Sequence, residues 1–447
     1  MDRILTRVLF AVLGCTQLLA VSHAHPVLAF VEQTVTSPAK DSKEKPTREE
    51  FPVTVVLGDH YVSTESQGTR RILDFEHRRL YRLDLNAHTF EDDSLFIVFG
   101  FNAMELQNRI AMNRMLLAAK LNDAAESNTP ALMEHLFSLR ADGQNTVIDS
   151  AHSGDATVYR FKTTELLSIS DKSRPLPAGS QAQYWRWLRY TAGGHPQIYA
   201  DLEKRTGVPE LLRVSRWQKP ADQIVTLRLT SVTNAADAPY SLAGFTRAPA
   251  KEEPFLTLEK VGRDSSAKLA AVADATQRDR DTAMAQGKML DAMLANFAYM
   301  LSTGDNDPTW LVHVKDQVSA DADARALAGA LNASSAEQAE AAVKTLTALQ
   351  DKSTSSYAYL LSVFAANHEI ALKHGKHAQE LFLAALSRNP YLTGAWIDLG
   401  QFYYVSFNTR EAWACWDAVR AINSSYAQGK QVDAMEAKMV ADHPEFF

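Results

Sequence analysis

Cysteine is nearly absent from this sequence, with 2 in 447 residues, Cys15 and Cys415. Cys15 lies inside an N-terminal apolar run, which leaves Cys415 alone in the part that folds. A disulfide framework is therefore excluded, and the fold has to stand on packed cores. Charge of one sign is also lacking. The formal net charge is −7, from 46 basic and 53 acidic residues, so there is no basic excess to neutralise phosphates and a nucleic-acid partner is excluded. Beyond the N-terminus no stretch reaches the roughly 18 consecutive apolar residues of a membrane-spanning helix, and no transmembrane span is expected. Catalytic signatures are missing as well. The chain contains no G-x-S-x-G, H-E-x-x-H, P-loop or C-x-x-C, and no G-x-G-x-x-G opening a helix. Nothing assigns a catalytic residue, a cofactor or a metal, and the chain reads as non-enzymatic.

The N-terminus does carry a signal. MDRILTR supplies two arginines, and VLFAVLGCTQLLAV follows as an apolar run of 14 residues before SHAHP. Charge, length and small residues match a secretory signal peptide over 1–24, with cleavage expected after Ala24. The expected product is exported, periplasmic or secreted. A rival pattern sits in the same run: Val12-Leu13-Gly14-Cys15 resembles a bacterial lipoprotein box, which would anchor the chain to the outer membrane through a lipid on Cys15. Cleavage after Ala24 would instead open the mature chain on His25, whose amine and imidazole could chelate copper, as in periplasmic copper carriers. No third ligand is identifiable, so no metal is assigned.

Residues 25–50 end in SPAKDSKEKPTREE, whose charge and proline content reads as a solvated linker. From Phe51 to about residue 250 the hydrophobic period is mostly two. In RLYRLDL, Tyr81, Leu83 and Leu85 share one face and Arg82 and Asp84 the other. In QIVTLRLTSV, Val225, Leu227 and Leu229 oppose Thr226, Arg228 and Thr230. SLFIVFGF is apolar on both faces and is expected to be a covered central strand. Helical stretches near Ala103–Asp123 and Gln181–Thr206 interrupt the strands. The expected class is α+β: a curved antiparallel sheet with covering helices over 51–250, a linker or boundary helix over 251–285, and an all-helical region over 286–447.

The helical region repeats itself. Trp396, Leu399, Gly400 and Tyr403 form W-x2-L-G-x2-Y, followed by Ala412 and Trp416 as A-x3-aromatic. Ala378 and Phe382 lie 34 residues earlier, Ala366 lies 34 before Gly400, and Pro390 closes the first unit. Over about 355–426 the chain thus resembles the tetratricopeptide (TPR) repeat. The match is partial, since Ser362, Ala365 and Glu369 stand where the second unit has Trp396, Leu399 and Tyr403. Ala275–Gln350 is expected to add degenerate helices to the same solenoid, and Val432, Met435 and Met439 to lie on a capping helix. The resemblance implies a groove on the first helices of the units that takes a protein partner, with Asn367, Gln401, Tyr404 and Val405 as its contact residues.

Other clusters point less far. His368, His374 and His377 surround Gly375, but the spacing puts the first two on different helix faces. Asp305-Asn306-Asp307 lacks the further ligands of a calcium loop and reads as a turn with a helix N-cap. Gly68–Leu95 resembles the β-meander of envelope proteins related to the lipoprotein carrier, a likeness extending over about 53–101. That resemblance implies an alternative function, a carrier or sensor of a lipid or acyl chain, with Tyr184, Trp185, Trp187 and Tyr190 lining an apolar groove or packing as the covering helix. The leading expectation is an exported adaptor of the bacterial cell envelope that binds a partner protein through a TPR groove.

Overall fold

The computed structural model describes residues 25–38, 43–122, 129–141, 146–177, 179–218, 221–235, 239–262, 265–305 and 308–447. The expected signal peptide, the candidate lipidation site Cys15, Asp123, and Asn306-Asp307 lie outside these residues.

The fold is α+β. Fourteen strands are described, of which twelve make one sheet: β1 (His25–Ser37), β2 (Thr47–Leu57), β3 (Tyr61–Ser66), β4 (Thr69–Asp74), β5 (Arg79–Asp84), β6 (Thr89–Ser94), β7 (Asp149–Ser153), β8 (Ala156–Phe161), β9 (Thr164–Ser170), β12 (Leu211–Gln218), β13 (Ala221–Ala235) and β14 (Thr246–Arg247). Two short strands, β10 (Ser173–Arg174) and β11 (Val208–Pro209), pair separately. In space the order is β14-β6-β5-β4-β3-β2-β1-β13-β12-β9-β8-β7, antiparallel except where β14 joins β6. The 25–50 stretch is therefore not a linker. β1 lies in the middle of the sheet between β2 and β13, and β2 already begins at Thr47. The charged residues that open β2 are compatible with a strand because a ladder is held by backbone hydrogen bonds and runs on where its side chains face water.

SLFIVFGF is not a central strand: Ser94 ends β6, and Phe96–Phe101 open helix α1 (Phe96–Ala118). An apolar run with both faces buried suits a central strand and a buried helix equally, and here the helix-forming residues after Gly100 extend the same helix. α1 begins wedged between the sheet and the C-terminal helices. Phe96 stacks on Trp413 at 6.3 Å, Phe99 meets Phe446 at 5.3 Å, and Thr409 donates to the Ile97 carbonyl at 3.0 Å. Gly100 is required here, since a Cβ would lie 2.3 Å from the Trp413 ring.

Three shorter helices follow: α2 (Pro130–Phe137), α3 (Ser180–Thr191) and α4 (Pro196–Leu202). α3 covers the sheet. Trp187 stacks on Phe30 at 5.4 Å and donates its indole N–H to Thr64 Oγ1 at 2.9 Å. On the opposite face Tyr61, Ile72 and Leu83 form a small second core with Tyr81, Leu85 and Phe90, closed by Tyr240, Leu242 and Phe245.

The rest is helical: α5 (Phe255–Leu258), α6 (Ser265–Ala285), α7 (Met289–Thr303), α8 (Pro308–His313), α9 (Lys315–Ala320), α10 (Ala322–Leu331), α11 (Ala336–Lys352), α12 (Leu360–Ala371), α13 (Gly375–Arg388), α14 (Thr393–Val405), α15 (Thr409–Ile422) and α16 (Ala427–Asp442). The 34-residue period survives in the backbone. α13 and α15 begin and end 34 residues apart, and the residues at the preceding turn, Lys373 and Phe407, share a left-handed φ of 66° and 64°. His374 N–H donates to the Glu369 carbonyl at 2.8 Å, and Asn408 N–H to the Tyr403 carbonyl at 2.9 Å, again 34 residues on. A Cβ on Gly400 would lie 2.5 Å from Trp416 Nε1, which is why that crossing needs glycine. Val432, Met435 and Met439 lie on α16 and pack against the core.

Candidate partner-binding face

The first helices of the two repeat units, α12 and α14, carry the four residues named for the groove. Asn367 and Gln401 are exposed, and Val405 is 58% exposed. Asn367 Nδ2 donates to Asp398 Oδ2 at 3.0 Å, which ties the two helices together on this face. Burial raises the Asp398 pKa, and the Asn367 bond opposes the shift. Asp398, Gln401 and Val405 follow one another at helical spacing and form one strip. Tyr404 stands apart: it is half-buried, with its ring 5.6 Å from Trp413 and 5.5 Å from Trp416. Its contacts are with the second helix of its own unit.

The N-terminal halves of these helices are covered by the chain itself. α7 packs against α10, α12 and α14. Phe297 meets Phe364 at 5.2 Å, Thr393 Oγ1 donates to the Ser302 carbonyl at 2.8 Å, and Gly394 leaves room for Leu301 and the Tyr426 hydroxyl. The open part of the face is the C-terminal half, where Asn367, Gln401 and Val405 lie.

A junction between sheet and repeat was not legible in the sequence. A cavity of about 580 Å3 lies between β6, β14, α5 and α15. Arg79 bridges Asp92 and Asp417, each at 2.7 Å. Arg410 bridges Asp93 at 3.0 Å and Glu91 at 3.1 Å, and its guanidinium lies 4.7 Å over the Phe255 ring. Arg420 carries the chain of charges onward to Asp417 and Asp433, both at 2.9 Å. Burial alone would lower the Arg79 pKa, but Asp417 and Asp92 outweigh it and hold the guanidinium above its ordinary value. The only sequence signal was local, the alternating charges of RRLYRLD and FEDDS, with nothing to pair them with residues over 300 positions away.

His374 Nδ1 lies 2.6 Å from Glu369, and His377 sits between Glu369 and Glu380. Among the described residues no group of three or more His, Cys, Asp or Glu is placed to hold a metal ion. Tyr184, Trp185, Trp187 and Tyr190 are all buried between α3 and its surroundings. Under the same cover, His195 Nε2 meets Glu134 at 3.0 Å, His195 N–H donates to His135 Nδ1 at 3.1 Å, and His135 Nε2 meets the Ser215 carbonyl at 2.9 Å. Burial pushes the His135 pKa down to about 3, so the ring is neutral. Burial also opposes ionisation of Glu134, but the bonds from His195 and Ala141 outweigh it and keep that pKa below the ordinary value.

No helix among the described residues is long and apolar enough to cross a membrane. No family model matches the chain, and no curated protein matches it. Among solved structures, one of lipovitellin, described by its lipid–protein interactions, aligns over 94% of this chain at 10% identity, with a TM-score of 0.19. The alignment spans 46% of the lipovitellin chain, and at that score the likeness carries nothing about fold or ligand.

Proposed function

We infer that this chain is a non-enzymatic adaptor that holds a partner protein on the C-terminal halves of α12 and α14. The observation that carries the reading is the open strip of Asn367, Gln401 and Val405, on helices whose other half is sealed by α7. Helical repeats of the TPR kind bind partners through such first-helix faces, and the 34-residue spacing of turns and helix ends supports that assignment. Export to a bacterial cell envelope belongs to the same proposal and is supported by the arginines and 14-residue apolar run of the N-terminus. So does the division into a sheet-bearing part and a helical part from about residue 286, the first now starting at His25.

Deleting 355–447 would strip Trp413 and Phe446 from α1, so point variants make the cleaner test. Wild type immobilised in envelope extract is expected to retain a stable protein partner, and the Gln401→Arg/Val405→Arg double variant, at two exposed positions, to lose it with an unchanged melting temperature. A partner retained equally by both sinks the reading.

A further inference from the structure

A second cavity, of about 460 Å3, lies on the far side of the sheet where the β2–β3 turn, the β4–β5 turn and Tyr240 converge. Its walls are aromatic. Tyr61 and Tyr240 meet edge to face at 5.2 Å, and His25 closes one side with its ring 5.9 Å from Tyr61. Among the described residues three carboxylates, Asp59, Asp74 and Glu76, and three histidines, His25, His60 and His77, line it, with no lysine or arginine; His77 is paired with Asp74, which leaves Asp59 and Glu76 as the carboxylates open to a ligand. Asp74 is 2% exposed and already saturated. It accepts from the His77 backbone N–H at 2.8 Å, from His77 Nδ1 at 2.8 Å and from the Tyr240 hydroxyl. Burial opposes ionisation of Asp74, but these bonds outweigh it and keep its pKa below the ordinary value, and they fix the hydroxyl end of the Tyr240 ring. Asp59 and Glu76 stand exposed at the rim.

An aromatic wall over fixed negative charge attracts a weakly hydrated cation through the ring quadrupole and the carboxylate field together. A metal ion is the poorer fit, since the imidazoles and carboxylates do not converge on one point. We propose that this cavity binds a small organic cation, an alkyl- or quaternary ammonium group held against the rings of Tyr61 and Tyr240 and facing Asp59 and Glu76.

The test is calorimetric titration of the full chain with choline and with its neutral isostere 3,3-dimethyl-1-butanol. Choline is expected to bind saturably, and the isostere about tenfold more weakly or not at all, the size of a desolvated cation–π contact. Tyr240→Leu removes the ring and should abolish binding, whereas Tyr240→Phe keeps the ring and should retain most of it. Because Tyr240 also belongs to the second core, Asp59→Asn/Glu76→Gln on the exposed turns serves as the variant that leaves folding intact, and it should weaken choline several-fold. Equal affinity for choline and the isostere, no saturable heat up to about 10 mM choline, or full affinity in Asp59→Asn/Glu76→Gln would each overturn the proposal.

Discussion

Gly400 shows how far a single residue can be read in advance. Its place in W-x2-L-G-x2-Y calls for a small residue, and a Cβ there would lie 2.5 Å from Trp416 Nε1 and 3.2 Å from the Cys415 Cβ. Gly400→Ala should therefore destabilise the chain by about 1–3 kcal/mol through overpacking, measured by urea unfolding. Gly329 in α10 has open space at the same position, so Gly329→Ala should be neutral or stabilising by up to about 1 kcal/mol. His135 shows the opposite, because no spacing in the sequence marks it as buried beside His195. Its folded pKa of about 3 lies below the ordinary 6.5, so between those values the unfolded state takes up a proton that the folded state refuses. Its contribution is complete above pH 6.5 and declines as the pH falls toward 3, by about 3 kcal/mol at pH 4.5. The depressed Glu134 pKa adds acid sensitivity at lower pH, below the ordinary carboxyl value of 4.5. Wild-type stability measured by urea unfolding should drop over this range and His135→Gln should flatten the drop; a flat wild-type profile would contradict the buried neutral imidazole.

At the level of elements, a period-two segment such as β13 was legible because Val225, Leu227 and Leu229 are buried while Arg228 and Thr230 are exposed. β1 was hidden by its charged continuation, and the start of α1 by burial on every side, where periodicity carries no information. Contacts between distant segments were also beyond reach. Arg79 and Asp417 are 22% and 31% exposed and 2.7 Å apart, a geometry in which the pair should contribute more than a surface ion pair. A double-mutant cycle with Arg79→Ala and Asp417→Ala should return a coupling of about 1–2 kcal/mol. Additive single effects would mean that the Arg79–Asp417 pair does not help fasten the sheet to the repeat, leaving that to Arg410 and to the packing of Phe96, Trp413 and Phe446.

Taken whole, the molecule joins a large sheet to a repeat through α1 and the charged junction, and α7 seals half of the first-helix face. The class and the repeat were readable because periodicity and spacing are local signals; the junction, the sealed half-groove and the acidic aromatic cavity depend on tertiary placement. Two exposed surfaces are candidates for the proposed partner: the strip of Asn367, Gln401 and Val405, and the far end of α1, where Met112 and Met115 are 42% and 73% exposed. A photo-crosslinking residue placed in turn at positions 367, 401, 115 and 329, followed by irradiation in envelope extract, distinguishes them. The adaptor reading requires one crosslinked partner from 367 and 401 and none from 115 or 329. A partner captured from 115 and absent from 367 and 401 would contradict it.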